Sequence, residues 1–211
     1  TSNAILVNGI ERDPLGLNHD DFFIIKKLSQ GVSNEIYSAD YISEKGSEKV
    51  VVKIMKGEFN HDSRNTFLKE ARMMRKLEHR NIVKMLGIAV HDLPLMIMME
   101  YCEGGAMSSY LMKNGKAISV NEKKRFVIEA AEGMAYLEEK PFIHRDIAAR
   151  NCLLYGETNT VKISDLAMSH DKGSLHDEYL EKTRIKWLAP EVMQNSIYSL
   201  KTDVWSFGGL V

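Results

Sequence analysis

The sequence predicts an α+β chain in two parts, a small sheet lobe carrying one helix and then a mainly helical lobe. Three observations predict it. Five short apolar or alternating runs crowd residues 21–101, helical periodicity dominates after the Glu103-Gly104-Gly105 break, and 211 residues at 44% hydrophobic content can bury one or two compact cores.

Residues 1–20 have weak periodicity broken by Gly, Pro and Asn, and read as a leader or linker. The strands follow at 21–28, 35–42, 49–55, 83–90 and 95–101, each bounded by Gly, Asn, Ser or Pro. One helix interrupts them at 64–78, where Phe67, Ala71, Met74 and Leu77 fall at helical spacing and His61-Asp62-Ser63 supply capping candidates. The second lobe takes residues 102–211. Its clearest helix is 120–139: Ser119 followed by Glu122 reads as a capping box, opening a stripe through Phe126, Ala130, Met134 and Leu137.

Charge and cysteine content narrow the function. Lys plus Arg (28) nearly balances Asp plus Glu (29), so no excess charge points to nucleic acid or a membrane surface. Cys102 and Cys152 lack metal-ligand spacing and suit a reducing compartment, with the cytosol as default. The longest apolar run, residues 93–99, is too short to span a bilayer.

Against this background some polar residues are misplaced. The stretch FIHRDIAARNCLL, residues 142–154, sets His144, Arg145, Asp146 and Asn151 between apolar flanks. Burying such groups without partners costs several kcal/mol. Alternation puts Lys53 on the strand face of Val51 and Met55, and Glu70 lies on the apolar stripe of its helix, so the two could satisfy each other. Asp165 shares a strand face with Val161 and Ile163 and is expected to point inward. Taken singly, each has a plain structural reading: lysines snorkel, glutamates sit on mixed faces, and an Asp after a strand begins a turn.

Their order carries more. A Gly-bearing hairpin, Lys53, Glu70, HRD at 144–146, Asn151, Asp165, APE at 189–191 and DVWSFG at 203–208 form the ordered motif set of a protein kinase. From about residue 21 to its last, the chain resembles a protein kinase catalytic domain, a two-lobed fold with a small antiparallel sheet lobe and a helical C-lobe. HRDIAARN with Arg150, Ala148 where serine/threonine kinases usually have Lys, and Trp187 before the APE resemble the tyrosine kinases. The lead-in LNHDD is similar to the non-receptor Fes/Fer type.

The resemblance implies an ATP-dependent transfer of phosphate to tyrosine hydroxyls of protein substrates, with Mg²⁺ as cofactor. It gives Asp146 the substrate hydroxyl proton, Arg150 a place beside it, and Lys53 the α and β phosphates with Glu70 holding it. Asn151 and Asp165 become the metal ligands, and Asp203 an anchor of the catalytic loop. Leu28, Gly31, Ile36, Val51, Met99 as gatekeeper, the backbone of Glu100 and Cys102, and Leu153 are implied as nucleotide contacts. Tyr179 becomes a phosphorylation site whose phosphate pairs with Arg145.

The chain departs from the pattern in places. The loop expected to read G-x-G-x-x-G is SQGVSN, where Ser29 and Asn34 replace two glycines and Gly31 remains. DFG is Asp165-Leu166-Ala167, and Arg184 stands where Pro is usual. Kinase domains run several helices further, so the resemblance implies a fragment of a longer protein with other domains upstream. The eroded loop keeps a pseudokinase or scaffold open as an alternative, with a small-molecule phosphotransferase a weaker third reading.

Overall fold

A computed structural model of the chain describes residues 16–31, 34–56, 61–140, 142–166 and 185–211, and the backbone of 5–7 and 10–12. These fall into two compact units, Thr1–Leu77 with Lys84–Tyr101, and Glu78–Val83 with Cys102–Val211.

In the first unit, strands β1 (Ile5–Val7) and β2 (Ile10–Arg12) pair antiparallel. The main sheet holds β3 (Phe22–Gln30), β4 (Asn34–Ser43), β5 (Gly46–Met55), β6 (Met85–Ala89) and β7 (Met96–Glu100). Their order is β3-β4-β5-β7-β6, antiparallel throughout. Ala39, Val50, Val52 and Ala89 are fully buried in its core with Met96 and Met98. Small and β-branched residues on the central strands let the sheet be covered closely.

Helix α1 runs His61–Met74 and buries Phe67, Glu70, Ala71 and Met74. His61-Asp62-Ser63 therefore forms its first turn, not the cap before it, and Asp62 stands where the helix dipole favours a carboxylate. The C-terminal end is also earlier than periodicity implied, because Leu77 is buried from a turn beyond the helix. Part of the expected leader is docked. Gly16 bridges Ile88, the Leu17 N–H donates to the Ile88 carbonyl at 3.0 Å, and a His19 ring nitrogen meets the Pro94 carbonyl at 2.7 Å. Main-chain bonds of that kind leave no trace in hydropathy periodicity.

The second unit is built on α2 (Met107–Asn114) and α3 (Val120–Glu138), a three-stranded sheet of β8 (Gly105–Ala106), β9 (Cys152–Tyr155) and β10 (Thr160–Ile163), and helices α4 (Pro190–Asn195) and α5 (Leu200–Gly208). Met107, Phe126, Ala130, Cys152, Leu154 and Val161 make its core. Ser119 accepts from the Glu122 N–H at 3.1 Å, which caps α3. The reciprocal half of the expected box is not made by Glu122, whose carboxylate instead accepts from the Tyr110 hydroxyl at 3.3 Å.

Residues 78–83 join this unit through edge pairing. The Val83 N–H donates to the Ile163 carbonyl at 2.9 Å, the Ile163 N–H to the Asn81 carbonyl at 2.8 Å, and the Asn81 amide to the Val161 carbonyl at 2.8 Å. Gly133 on α3 makes room for the segment: a Cβ there would lie 2.8 Å from the Asn81 carbonyl oxygen.

Candidate active site

Among the described residues, the first unit holds a buried ion pair. Lys53 on β5 pairs in register with Ile36 on β4 and Ile97 on β7, which points its side chain off the sheet toward the apolar stripe of α1. There its Nζ donates to both Glu70 carboxylate oxygens, at 2.6 and 2.8 Å, with both residues buried. The mutual satisfaction predicted from periodicity is the geometry found. A buried ammonium held by a bidentate carboxylate has fixed direction, as a phosphate-reading cation needs.

The other first-unit residues assigned to nucleotide are spread along the same strands. Leu28 is exposed on β3, Ile36 and Val51 are half-buried, and Val51 pairs with Met99 across β5 and β7. The Gly31 N–H donates to the Asn34 carbonyl at 2.8 Å, within the SQGVSN stretch that joins β3 to β4. The Glu100 N–H donates to the Lys84 carbonyl at 3.0 Å, so of the backbone groups assigned to the nucleotide at Glu100 it is the carbonyl that this bond leaves aside.

Sequence reasoning missed Glu35, which lies just after that loop. Its carboxylate accepts from Lys27 at 2.6 Å and from the Tyr37 hydroxyl at 2.7 Å, with Lys56 at 3.6 Å. Those two hydrogen bonds hold its pKa down to about 2. The alternation of charged and apolar residues in both strands was the available signal.

The second unit holds the catalytic-loop candidates. Helix α5 presents Asp203, whose oxygens accept the backbone N–H groups of His144 at 2.7 Å and Arg145 at 2.8 Å. This anchors the loop from below, as the resemblance implied. Burial pushes the Asp203 carboxyl above the ordinary range, while the two N–H groups and the charges beside them pull it back. His144 is buried and structural: its Nε2 bonds the Ser164 carbonyl at 2.9 Å, and its Nδ1 accepts from the Asp146 N–H at 3.2 Å. Arg145 is bent into a left-handed conformation, φ 69°, and its guanidinium lies 5.0 Å from the Tyr198 ring centre.

Asp146 is the focus of this arrangement. It is buried, yet each carboxylate oxygen has a donor: Oδ1 takes the Arg150 guanidinium, and Oδ2 takes the Asn151 amide nitrogen at 2.7 Å. Asn151 also donates to the Asp146 carbonyl at 2.7 Å. A short 3-10 turn, Ala149–Asn151, brings Arg150 and Asn151 back over the aspartate. Leu153, on β9, is half-buried.

Asp165 requires a correction. Strand β10 ends at Ile163, and Asp165 is exposed in a left-handed turn at φ 58°, so its carboxylate does not point inward from a strand. The strand stops because the Ser164 N–H and hydroxyl both turn to the Asn151 carbonyl, at 2.8 and 2.9 Å. Short polar side chains tolerate that conformation. Leu166 beside it is buried. Ala167, Tyr179 and Arg184 lie outside the described residues.

The donor set fits a hard cation. Asn151 directs its amide nitrogen at Asp146, which leaves its oxygen end for a metal, and the exposed Asp165 carboxylate would supply a second oxygen. Mg²⁺ in phosphoryl transfer takes one or two protein ligands plus phosphate oxygens and needs no closed cage. Among the described residues no helix is long and apolar enough to cross a membrane.

Comparison with known proteins agrees with this geometry. Residues 22–211 match the family described as protein tyrosine and serine/threonine kinase. The whole chain is 49% identical to Fer-related kinase 1 of Caenorhabditis elegans, of which it spans 53%. It is 39% identical to the tyrosine-protein kinase Fer of Rattus norvegicus, covering 25% of that protein. It is 35% identical to the tyrosine-protein kinase transforming protein Fps of avian sarcoma virus, covering 39%. The chain thus spans from a quarter to about half the length of these relatives.

Proposed function

The chain belongs to the protein tyrosine and serine/threonine kinase family as a Fes/Fer-like tyrosine kinase domain, and from that premise we propose that it transfers the γ-phosphate of ATP to tyrosine hydroxyls of protein substrates. The observation that carries the proposal is the Asp146 carboxylate, buried and held at both oxygens by Arg150 and Asn151. A carboxylate so fixed can orient an attacking hydroxyl and take up its proton as the oxygen–phosphorus bond forms and the bond to the leaving ADP oxygen breaks.

Lys53, aimed by Glu70, would read the α and β phosphates. Asn151 and Asp165 would hold Mg²⁺, which when bound neutralises charge on the phosphates. Leu28, Gly31, Ile36, Val51, Met99, Cys102 and Leu153 are proposed as the nucleotide's other contacts. The tyrosine preference rests on Arg150 and Ala148 in HRDIAARN, and on the tyrosine kinases among the relatives. The pseudokinase reading is weakened by the intact Lys53–Glu70 pair, whose loss is the simplest route to an inactive kinase.

The proposed setting is a cytoplasmic protein with further domains, as the longer relatives suggest. Tyr179 is proposed as its regulatory site, where a phosphate of nearly two negative charges would draw Arg145 off the Tyr198 ring. Activation by prior phosphorylation should be lost in both Tyr179→Phe and Arg145→Ala; activation surviving in Tyr179→Phe would refute the site.

The test of the main proposal uses the full-length protein with MgATP and a glutamate–tyrosine copolymer. Transfer should occur to tyrosine, fall at least about a hundredfold in Asp146→Asn, and leave nucleotide affinity within about threefold. Transfer unchanged in Asp146→Asn would overturn the assignment.

A further inference from the structure

Trp187 stands in a 3-10 turn, Ile185–Trp187, that sequence comparison marks only as tyrosine-kinase-like. Its indole ring faces the Arg150 guanidinium at 4.9 Å from the ring centre, and that guanidinium is the donor to Asp146 Oδ1. The Arg150 side chain keeps 35% of its surface exposed, whereas Asp146 keeps 3%. A half-exposed arginine beside a buried aspartate can exchange that bond for water unless something limits its swing. The aromatic face does so, because a guanidinium held over an indole by cation–π attraction is kept from swinging away from the carboxylate it bonds.

Helix α5 in turn holds the main chain of Trp187 and leaves room for its ring. Ser206 donates its hydroxyl to the Trp187 carbonyl at 2.7 Å and also reaches the Thr202 carbonyl at 3.0 Å. Gly209 leaves space for the ring: a Cβ there would come within 3.2 Å of indole Cδ1. Asp203, Ser206 and Gly209 follow at intervals of three residues, along one face of the helix and its C-cap. Asp203 on that face sets the backbone of the catalytic loop, while Ser206 holds the Trp187 backbone and Gly209 leaves room for the ring that restrains Arg150.

We propose that Trp187 is a positioning residue for phosphoryl transfer, acting through Arg150 to hold the Asp146 carboxylate in one orientation. The proposal rests on the kinase reading above. Trp187 touches neither substrate nor metal in this role. Its effect should appear in kcat and pass entirely through Arg150.

A double-mutant cycle in the full-length protein tests it, with MgATP and the glutamate–tyrosine copolymer as probes. W187L should lower kcat about tenfold with the KM for ATP within about twofold, and W187F, which keeps an aromatic face, should recover most of the loss. In an R150A background W187L should change kcat by less than about twofold. A tenfold loss that persists there would overturn the proposal, because it would show that Trp187 acts through packing alone. W187F as impaired as W187L would overturn it too. Should W187L lose its cooperative melt, W187F and W187H complete the same cycle. Asp146→Asn runs alongside: full activity in that variant refutes the kinase reading itself, whereas additivity with Asp146→Asn inactive refutes only the role of Trp187.

Discussion

Glu35 shows how far neighbours can move a surface carboxyl. Because its folded pKa is depressed to about 2 from 4.5, it favours the folded state above pH 4.5 and loses that contribution as pH falls toward 2. An NMR titration should find its midpoint near 2, and Lys27→Met should move it up toward the ordinary value; salt should narrow the difference, as for any exposed pair. Cys152 shifts the other way, with burial raising its thiol to about 12. The neutral thiol is favoured, so its contribution is complete below pH 9 and lost as pH rises through 12. Mass spectrometry after iodoacetamide at pH 8 should show Cys152 unlabelled until the protein is unfolded. Glu70→Gln would leave the Lys53 ammonium buried beside a neutral amide, a change worth about 3 kcal/mol in denaturant unfolding. Lys53, Glu70 and Asp146 were legible in sequence because burial contradicted their charge. Glu35 was signalled only by the charged and apolar alternation of its strand, and Trp187 only by resemblance, since neither residue violates a local rule.

Elements were legible where a period was long. Helix α3 follows its apolar stripe from a serine cap, and Ser119→Ala should cost about 1 kcal/mol in thermal unfolding. Its Gly133 has no such sequence explanation. A methyl group there would meet the Asn81 carbonyl at 2.8 Å and the Ile163 Cδ1 at 3.0 Å, so Gly133→Ala should separate α3 from β10 and destabilise by about 1–3 kcal/mol. An increase in stability, of the kind alanine gives in an open helix, would show that this contact yields freely. Boundaries were less legible. Helix α1 begins three residues before its expected start, and β10 ends before Asp165 because the Ser164 N–H and hydroxyl both bond the Asn151 carbonyl, which hydropathy does not record.

At the scale of the whole molecule, the proposed binding of nucleotide and metal should raise the stability of the folded chain. MgATP at a hundred times its Kd should add about 2.7 kcal/mol. This stabilisation should persist in Asp146→Asn and vanish in Asp165→Asn, as read by the melting temperature; equal loss in both would assign Asp146 to binding. By itself the sequence marked the first-unit strands, helices α1 and α3 and the misplaced charges of Lys53 and Glu70, since periodicity and the cost of burying charge act on each segment locally, while the ordered motifs spoke through resemblance to a family. Only the tertiary structure decided that residues 78–83 pair with β10, that Asp165 leaves its strand for an exposed turn, and that Ser206 and Gly209 seat Trp187 against Arg150. These depend on contacts between residues far apart in the chain, where distance and packing choose the partner and no local pattern records it.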